Sequence, residues 1–188
     1  MKSISAAPSF PRRIRHSNAP RLCVIAIERV GPSHTTQSVA QQINPGRLID
    51  AAEFQSLVPA HEQDHCYNMR GICIDSFTPP LHRLFELAHE APNLKTIGIG
   101  DGGNEIGMGS IPWQELRLRL NNESAARSPC RIATDWTIVA GISNWGGMAL
   151  AASVLWLKNQ ASITETWPAK QQLHYLSEWS QKAPQSTV

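Results

Sequence analysis

The chain has 188 residues, of which 41% are hydrophobic and 17% are charged. This length favours one soluble globular domain with a buried core. Its 17 basic residues are nearly balanced by 15 acidic ones, and the net charge of +2 argues against a nucleic-acid-binding protein, which would carry a basic stripe. No apolar run approaches the ~20 residues of a membrane span. The sequence therefore predicts neither nucleic acid nor a membrane as a partner.

Cysteine usage indicates a reducing compartment. Cys23, Cys66, Cys73 and Cys130 lie far apart, without a C-x-x-C pair. Three of the four lie in or beside apolar stretches, which favours buried free thiols over a disulfide framework. We predict a cytoplasmic location, or the mitochondrial matrix if the source is a eukaryote.

The chain divides into three predicted parts. Residues 1–20 are rich in proline and arginine, contain no acid and lack the apolar segment of an export signal, so a mobile lead-in is expected. Residues 21–182 form the domain, and residues 183–188 form a tail. Within the domain, residues 33–66 are polar and predict a long loop or insertion with one short helix at about 48–57.

Short apolar runs rich in β-branched residues predict three buried strands, at residues 22–27, 94–99 and 136–140. Helical patterns lie between and after them, at residues 79–91, 113–120, about 147–158 and 168–181. Because strands alternate with helices, the predicted fold class is α/β, with a mainly parallel sheet flanked by helices. In such sheets ligands bind beyond the carboxyl ends of the strands. That rule selects three clusters, at residues 28–29, 101–105 and 143–147.

The glycine-rich stretch G-I-G-D-G-G-N-E-I-G-M-G, residues 98–109, is the strongest of these clusters. If a helix begins near Gly103, Asp101 and Glu105 reach one point above the strand end. Together with the Asn104 carbonyl they form a hard oxygen set suited to Mg²⁺ or Mn²⁺. A dinucleotide site is disfavoured because the charge of Asp101 would oppose a pyrophosphate. A tight turn without a ligand is the remaining interpretation.

The other candidates each have a structural alternative. Arg70 could bind a carboxylate through two hydrogen bonds, or could be an exposed surface arginine. Ser143 and Asn144 could hold substrate oxygens, or could cap the helix that follows. Glu28 could be a third site carboxylate or part of a salt bridge in a loop.

Residues 61–65 read H-E-Q-D-H, which matches the H-E-x-x-H pattern of zinc proteases. That motif needs a helix with both histidines on one face. Because this copy lies in a polar stretch, a solvated loop is the favoured interpretation.

Four stretches, residues 26–32, 67–71, 98–109 and 139–147, together resemble the carboxy-terminal domain of the D-glutamate cyclase family. The resemblance covers about residues 22–160. It implies an α/β fold and a lyase that converts D-glutamate, a small amino-acid substrate, to 5-oxo-D-proline and water. Some relatives with this domain look like metal-dependent phosphohydrolases. Family members also carry an upstream part of the domain, in place of which this sequence has its proline- and arginine-rich residues. An inactive truncated remnant is therefore a further alternative.

The resemblance allows roles to be assigned as hypotheses. Glu28, if buried, is the predicted base for the substrate amine. Asp101 and Glu105 are predicted to hold a divalent cation, Mg²⁺ or Mn²⁺, which activates the γ-carboxylate. The predicted substrate-binding residues are Arg70, Gly102, Gly103, Asn104, Ser143 and Asn144, with the Gly102 and Gly103 N–H groups stabilising an oxyanion.

Overall fold

The computed structural model describes residues 22–44, 47–48, 51–120 and 124–158. The predicted lead-in, the tail and the helix expected at residues 168–181 lie outside them. The strands are β1 (Leu22–Ile27), β2 (Ile43–Asn44), β3 (Arg47–Leu48), β4 (Leu94–Gly100) and β5 (Trp136–Val139). The α-helices are α1 (Thr36–Ala40), α2 (Ala51–Leu57), α3 (His82–Glu90), α4 (Trp113–Arg119) and α5 (Ser143–Leu157).

Three strands form the main sheet, in the order β1–β4–β5, and all of them are parallel. Ile27 lies beside Ile99 across the β1–β4 ladder, and Gly100 lies beside Val139 across the β4–β5 ladder. The three carboxyl ends therefore meet at one edge of the sheet. This confirms the predicted α/β class and places the three expected clusters side by side.

The stretch from residue 33 to 66 is more ordered than the sequence predicts. It contains α1, the β2–β3 hairpin and α2, of which only α2 was expected. The cause is a small second core in which Val39, Phe54 and Val58 pack with Trp113, all fully buried. These few apolar residues are spaced too widely in a polar background to give a clear periodicity.

The two faces of the main sheet are covered unequally. One face packs on the principal core, which is made of Ala26, Phe85, Ile106, Met108, Leu116, Cys130 and Ile132. The other face meets α5 through its glycines, where an added Cβ at Gly146 would lie 2.7 Å from Ile99. Trp156 of α5 is 72% exposed. Among the described residues, no helix is both long and apolar enough to cross a bilayer.

All four cysteines are free, as expected, but only two of them are buried. Cys66 and Cys130 are buried, whereas Cys23 and Cys73 are exposed. Burial raises the pKa of the Cys130 thiol to about 12, with smaller contributions from its neighbours, so this thiol stays protonated near neutral pH.

His34 is a buried histidine that supports a pH prediction. Burial, and to a lesser degree the charge of Arg131, lower the pKa of His34 to about 4. The neutral ring fits its contacts, since Nδ1 lies 2.9 Å from the Ser38 hydroxyl and the Gln42 amide approaches Nε2 at 3.5 Å. In the unfolded chain this histidine is protonated below about pH 6.5, whereas in the folded chain it is protonated only below about pH 4.

We therefore expect the free energy of unfolding to fall as the pH drops from about 6.5 to 4, by at most about 1.4 kcal/mol per pH unit from this group. His34→Gln should flatten that part of the profile, measured by urea unfolding at a series of pH values. His61→Gln, at an exposed histidine, is the matched control. A profile that is equally steep in His34→Gln and wild type would contradict the assignment.

Candidate functional site

Three carboxylates converge at the carboxyl edge of the main sheet. Glu28 follows β1, Asp101 follows β4, and Glu105 lies four residues further along. One carboxylate oxygen from each lies within 4.8 Å of the other two. The sequence predicted that Asp101 and Glu105 approach one point, but through a helix that begins near Gly103. The structure has no helix there, because residues 101–110 form turns and isolated bridges instead.

Glu105 is the buried member of this group, with only 2% of its surface exposed. Its two carboxylate oxygens accept the backbone N–H groups of Gly102 at 2.9 Å and Gly103 at 2.8 Å. Gly103 has a φ of +94°, which a glycine adopts readily. Burial raises the pKa of Glu105, the two N–H donors oppose that shift, and the nearby Glu28 adds to it. A cation bound at this point would therefore stabilise the ionised form of this buried carboxylate.

The N–H groups of Gly102 and Gly103 were predicted to stabilise a substrate oxyanion. In the structure both donate to Glu105, so their role here is to hold that carboxylate in place. Asn104, also predicted to bind substrate, is buried, and its amide donates to the backbone carbonyl of Tyr67 at 2.7 Å. In the structure these three residues thus position other parts of the site through hydrogen bonds.

Glu28 has an environment opposite to the expected one. It is exposed rather than buried, so the buried carboxylate of the site is Glu105 and not Glu28. Its φ is +55°, a conformation that costs energy for a residue with a Cβ. Its N–H donates to Ile99 at 3.1 Å, which fixes the backbone at the strand end. Strain of this kind concentrates at functional sites, because the surrounding structure must enforce it.

Asp101 connects the site to α5. Its Oδ2 accepts the backbone N–H of Ser143 at 3.1 Å, at the first residue of the helix. The Ser143 side chain is 1% exposed, and its hydroxyl has no hydrogen-bond partner among the described residues. Asn144 follows and is exposed. Capping by the Ser143 or Asn144 side chain, the alternative interpretation, is not observed, since the cap residue is Ile142 and the Ser143 N–H is bonded by Asp101 instead.

Arg70 lies on a hairpin that packs against the glycine-rich loop. The hairpin turns at Gly71, which has a φ of +72°. An added Cβ at Gly102 would lie 2.5 Å from the sulfur of Met69, so the two loops are in close contact. The Arg70 side chain is exposed and makes no ion pair with the described residues. It is thus available to a ligand that approaches this hairpin.

The H-E-x-x-H pattern does not form a zinc-protease helix. A 3₁₀ turn covers Ala60–Glu62, and the backbone becomes extended at Gln63. The two histidines therefore do not share a helical face. Glu62 instead pairs with Arg127, and His65 contacts Asp75. The solvated-loop interpretation is the one that the geometry supports.

The carboxylate cluster fits a hard divalent cation. Its ligand atoms are all oxygens, carried by three acids on two backbone segments, and Glu28 and Asp101 are open to solvent. The unpartnered Ser143 hydroxyl adds a polar atom beside Asp101. Such an oxygen set suits Mg²⁺ or Mn²⁺ better than softer metals.

Comparison with known proteins assigns the chain to a family. A family model described as D-glutamate cyclase-like, C-terminal, matches residues 57–183, about two thirds of the chain. The chain belongs to this D-glutamate cyclase-like family, as the resemblance predicted. The human protein named "D-glutamate cyclase, mitochondrial" is 38% identical over 88 residues. That match covers 47% of this chain and 14% of the human protein, so the chain corresponds to a small part of its relative. The compartment of this chain stays a prediction.

Proposed function

We propose that this chain is a lyase of the D-glutamate cyclase type, which converts D-glutamate to 5-oxo-D-proline and water. The observation that carries the proposal is the convergence of Glu28, Asp101 and Glu105 at one sheet edge in a chain of this family. The hairpin that packs against the glycine-rich loop carries the exposed Arg70, a cation for a substrate with two carboxylates. The reaction needs both the carboxylate cluster and the arginine, because the site must bind the carboxylates of the substrate and transfer protons in the same place.

The substrate must first be folded back on itself. The exposed Arg70 guanidinium would pair with the α-carboxylate, with the Asn144 side chain as the alternative donor. Holding the amine next to the γ-carbon removes much of the entropic cost of ring closure, which can amount to several kcal/mol.

Ring closure then joins the amine nitrogen to the γ-carbon and breaks one carbon–oxygen bond. The ammonium group gives up two protons and the departing oxygen takes up two, so no external acid or base is consumed. Glu28 is exposed and within reach of the other carboxylates, and it would accept the amine proton and pass it on. A divalent cation, Mg²⁺ or Mn²⁺, would supply Lewis acidity to the γ-carboxylate. Asp101 and Glu105 would hold it.

The direct test is to incubate the purified full chain with D-glutamate and either Mg²⁺ or Mn²⁺, and to measure 5-oxo-D-proline by chiral chromatography. We expect product from D-glutamate, and little or none after treatment with a chelator. L-Glutamate serves as the stereochemical control. No product from D-glutamate with either ion would overturn the proposal.

A metal-dependent phosphohydrolase is the second candidate, because a cluster of carboxylates that holds a divalent cation also suits phosphoester hydrolysis. Phosphate release from p-nitrophenyl phosphate with Mn²⁺, without 5-oxoproline formation, would favour it. A binding remnant without activity is the third candidate, and the exposed apolar surface at Leu22, Trp136 and Trp156 is the observation in its favour. Neither product would form in that case.

Arg70→Ala should raise the KM for D-glutamate by about 10- to 100-fold, since a charge-assisted hydrogen bond contributes about 1.5–3 kcal/mol. The melting temperature should not change, because the side chain is exposed. Arg83→Ala, at an exposed arginine on α3, is the matched control. An unchanged KM in Arg70→Ala would exclude this residue from substrate binding.

A further inference from the structure

A second group of metal-binding side chains lies outside the carboxylate cluster. Ligand atoms of His65, Cys73 and Asp75 all lie within 4.8 Å of one another. The group offers an imidazole nitrogen, a thiol sulfur and a carboxylate oxygen, so its chemistry differs from that of the all-oxygen cluster. We propose that His65, Cys73 and Asp75 form a zinc site that cross-links the base of the hairpin that carries Arg70.

The hairpin backbone brings the three residues together. The Ile74 N–H donates to the Cys66 carbonyl at 2.8 Å, and Tyr67 and Cys73 form an antiparallel bridge. After the turn at Gly71, Cys73 therefore lies next to the first residues of the hairpin. The ligands come from both strands of one short loop, so a bound ion would close the loop as a cross-link.

Two of the three ligands are already fixed in place. Asp75 accepts the Cys66 N–H through Oδ1 at 2.6 Å, and its Oδ2 lies 2.5 Å from His65 Nδ1. The backbone of His65 is in turn held by Ser33, whose N–H donates to the His65 carbonyl at 2.9 Å. Neighbouring ligand atoms around a tetrahedral zinc ion lie about 3.3–3.7 Å apart. On zinc binding the His65–Asp75 pair would widen from 2.5 Å to that value, and Cys73, whose sulfur lies within 4.8 Å of both ligand atoms, would rotate to match it.

The donor set selects zinc over the ions expected at the carboxylates. Thiolate and imidazole are borderline or soft ligands that favour Zn²⁺, whereas Mg²⁺ and Mn²⁺ favour carboxylates alone. Cys73 and Asp75 are exposed, so water can reach the ion and fill a fourth position. The H-E-x-x-H pattern thus contains one zinc ligand, His65, but its partners come from the hairpin and not from His61.

The same hairpin contacts the candidate active site. Its Tyr67 carbonyl accepts the Asn104 amide, and its Met69 sulfur packs over Gly102. A zinc ion at the base would therefore stiffen the segment that presents Arg70. Zinc binding itself does not depend on the proposed cyclase reaction, and the two can be tested separately.

The test uses Co²⁺ as a spectroscopic substitute for zinc. The purified full chain, stripped with a chelator, is titrated with Co²⁺ alone, and its absorption is recorded. We expect one equivalent to give visible bands of a tetrahedral ion together with a thiolate-to-cobalt charge-transfer band, and Zn²⁺ to displace it. Cys73→Ser should abolish the charge-transfer band, and Asp75→Asn should weaken Co²⁺ binding by at least about tenfold.

Matched variants separate this site from its alternatives. Cys23→Ser, at another exposed cysteine, and His61→Ala should leave the spectrum unchanged, whereas His65→Ala should lose it. Asp101→Asn should keep the charge-transfer band, because the carboxylate cluster contains no sulfur. Far-ultraviolet circular dichroism of each stripped variant reports whether it folds. Absence of tetrahedral bands in the folded wild type, or a charge-transfer band that persists in folded Cys73→Ser, would overturn the proposal.

Discussion

Asp101→Asn should lower kcat/KM for D-glutamate on the order of 10²-fold or more, because it removes one charge from the point where three carboxylates meet. The fold should be unaffected. Asp101 is exposed, and its hydrogen bond from the Ser143 N–H can be accepted equally well by an asparagine oxygen. The melting temperature should therefore shift by less than about 2 °C. Chiral chromatography and a thermal melt on the same preparation measure both quantities.

Glu90→Gln is the matched control for this substitution. Glu90 is an exposed acid at the end of α3, four residues before β4 begins, and so it lies toward the opposite edge of the sheet. It should leave turnover and stability unchanged. Full activity in Asp101→Asn would refute the role of this carboxylate, and with it the cation site that the proposed reaction needs.

The sequence predicts the frame of the site well. The runs at residues 22–27, 94–99 and 136–140 are short, apolar and β-branched, and each becomes a strand of the parallel sheet. Their shared carboxyl edge follows from parallel topology alone, so the approach of Glu28 to Asp101 could be predicted without coordinates.

The environments of individual side chains could not be predicted in the same way. Glu105 is buried because the loop after Gly100 turns back under the sheet edge, with the Ile106 N–H donating to the Arg29 carbonyl at 2.7 Å. That return depends on contacts between segments about 75 residues apart, which no local pattern encodes. A helix was expected here because the glycine-rich stretch was interpreted as a turn from the strand into a helix that begins near Gly103.

The exposure of Glu28 and the burial of Glu105 suit the two carboxylates to different roles. A buried carboxylate fixed by two N–H donors is pre-organised to hold a cation and cannot easily move. An exposed carboxylate on a strained backbone, with solvent beside it, is better suited to exchange protons with a substrate. In the proposed reaction Glu105 would thus be the fixed ligand and Glu28 the base, although Glu28 lacks the burial that was expected of it.

At Gly98 the backbone of β4 is in close contact with the backbone of the loop that carries Glu105. An added Cβ there would lie 2.4 Å from the Ile106 carbonyl oxygen and 2.5 Å from the Gly107 Cα. These are backbone atoms, and they cannot rotate aside as a side chain could. The segment that carries Glu105 is seated on β4 by this contact, and the Gly107 N–H bond to Ile132 at 2.8 Å holds it from the other side.

Gly98→Ala should therefore destabilise the protein by about 1–3 kcal/mol or more, because the returning loop must move away from the strand. Catalysis should fall as well, since Glu105 would shift with the loop. Urea unfolding measures the first effect and 5-oxo-D-proline formation measures the second. Gly141→Ala is the matched control, because an added Cβ at Gly141 meets no atom within 4 Å. It should change stability by less than about 0.5 kcal/mol. Equal stability of the two variants would show that the loop does not depend on close contact with β4.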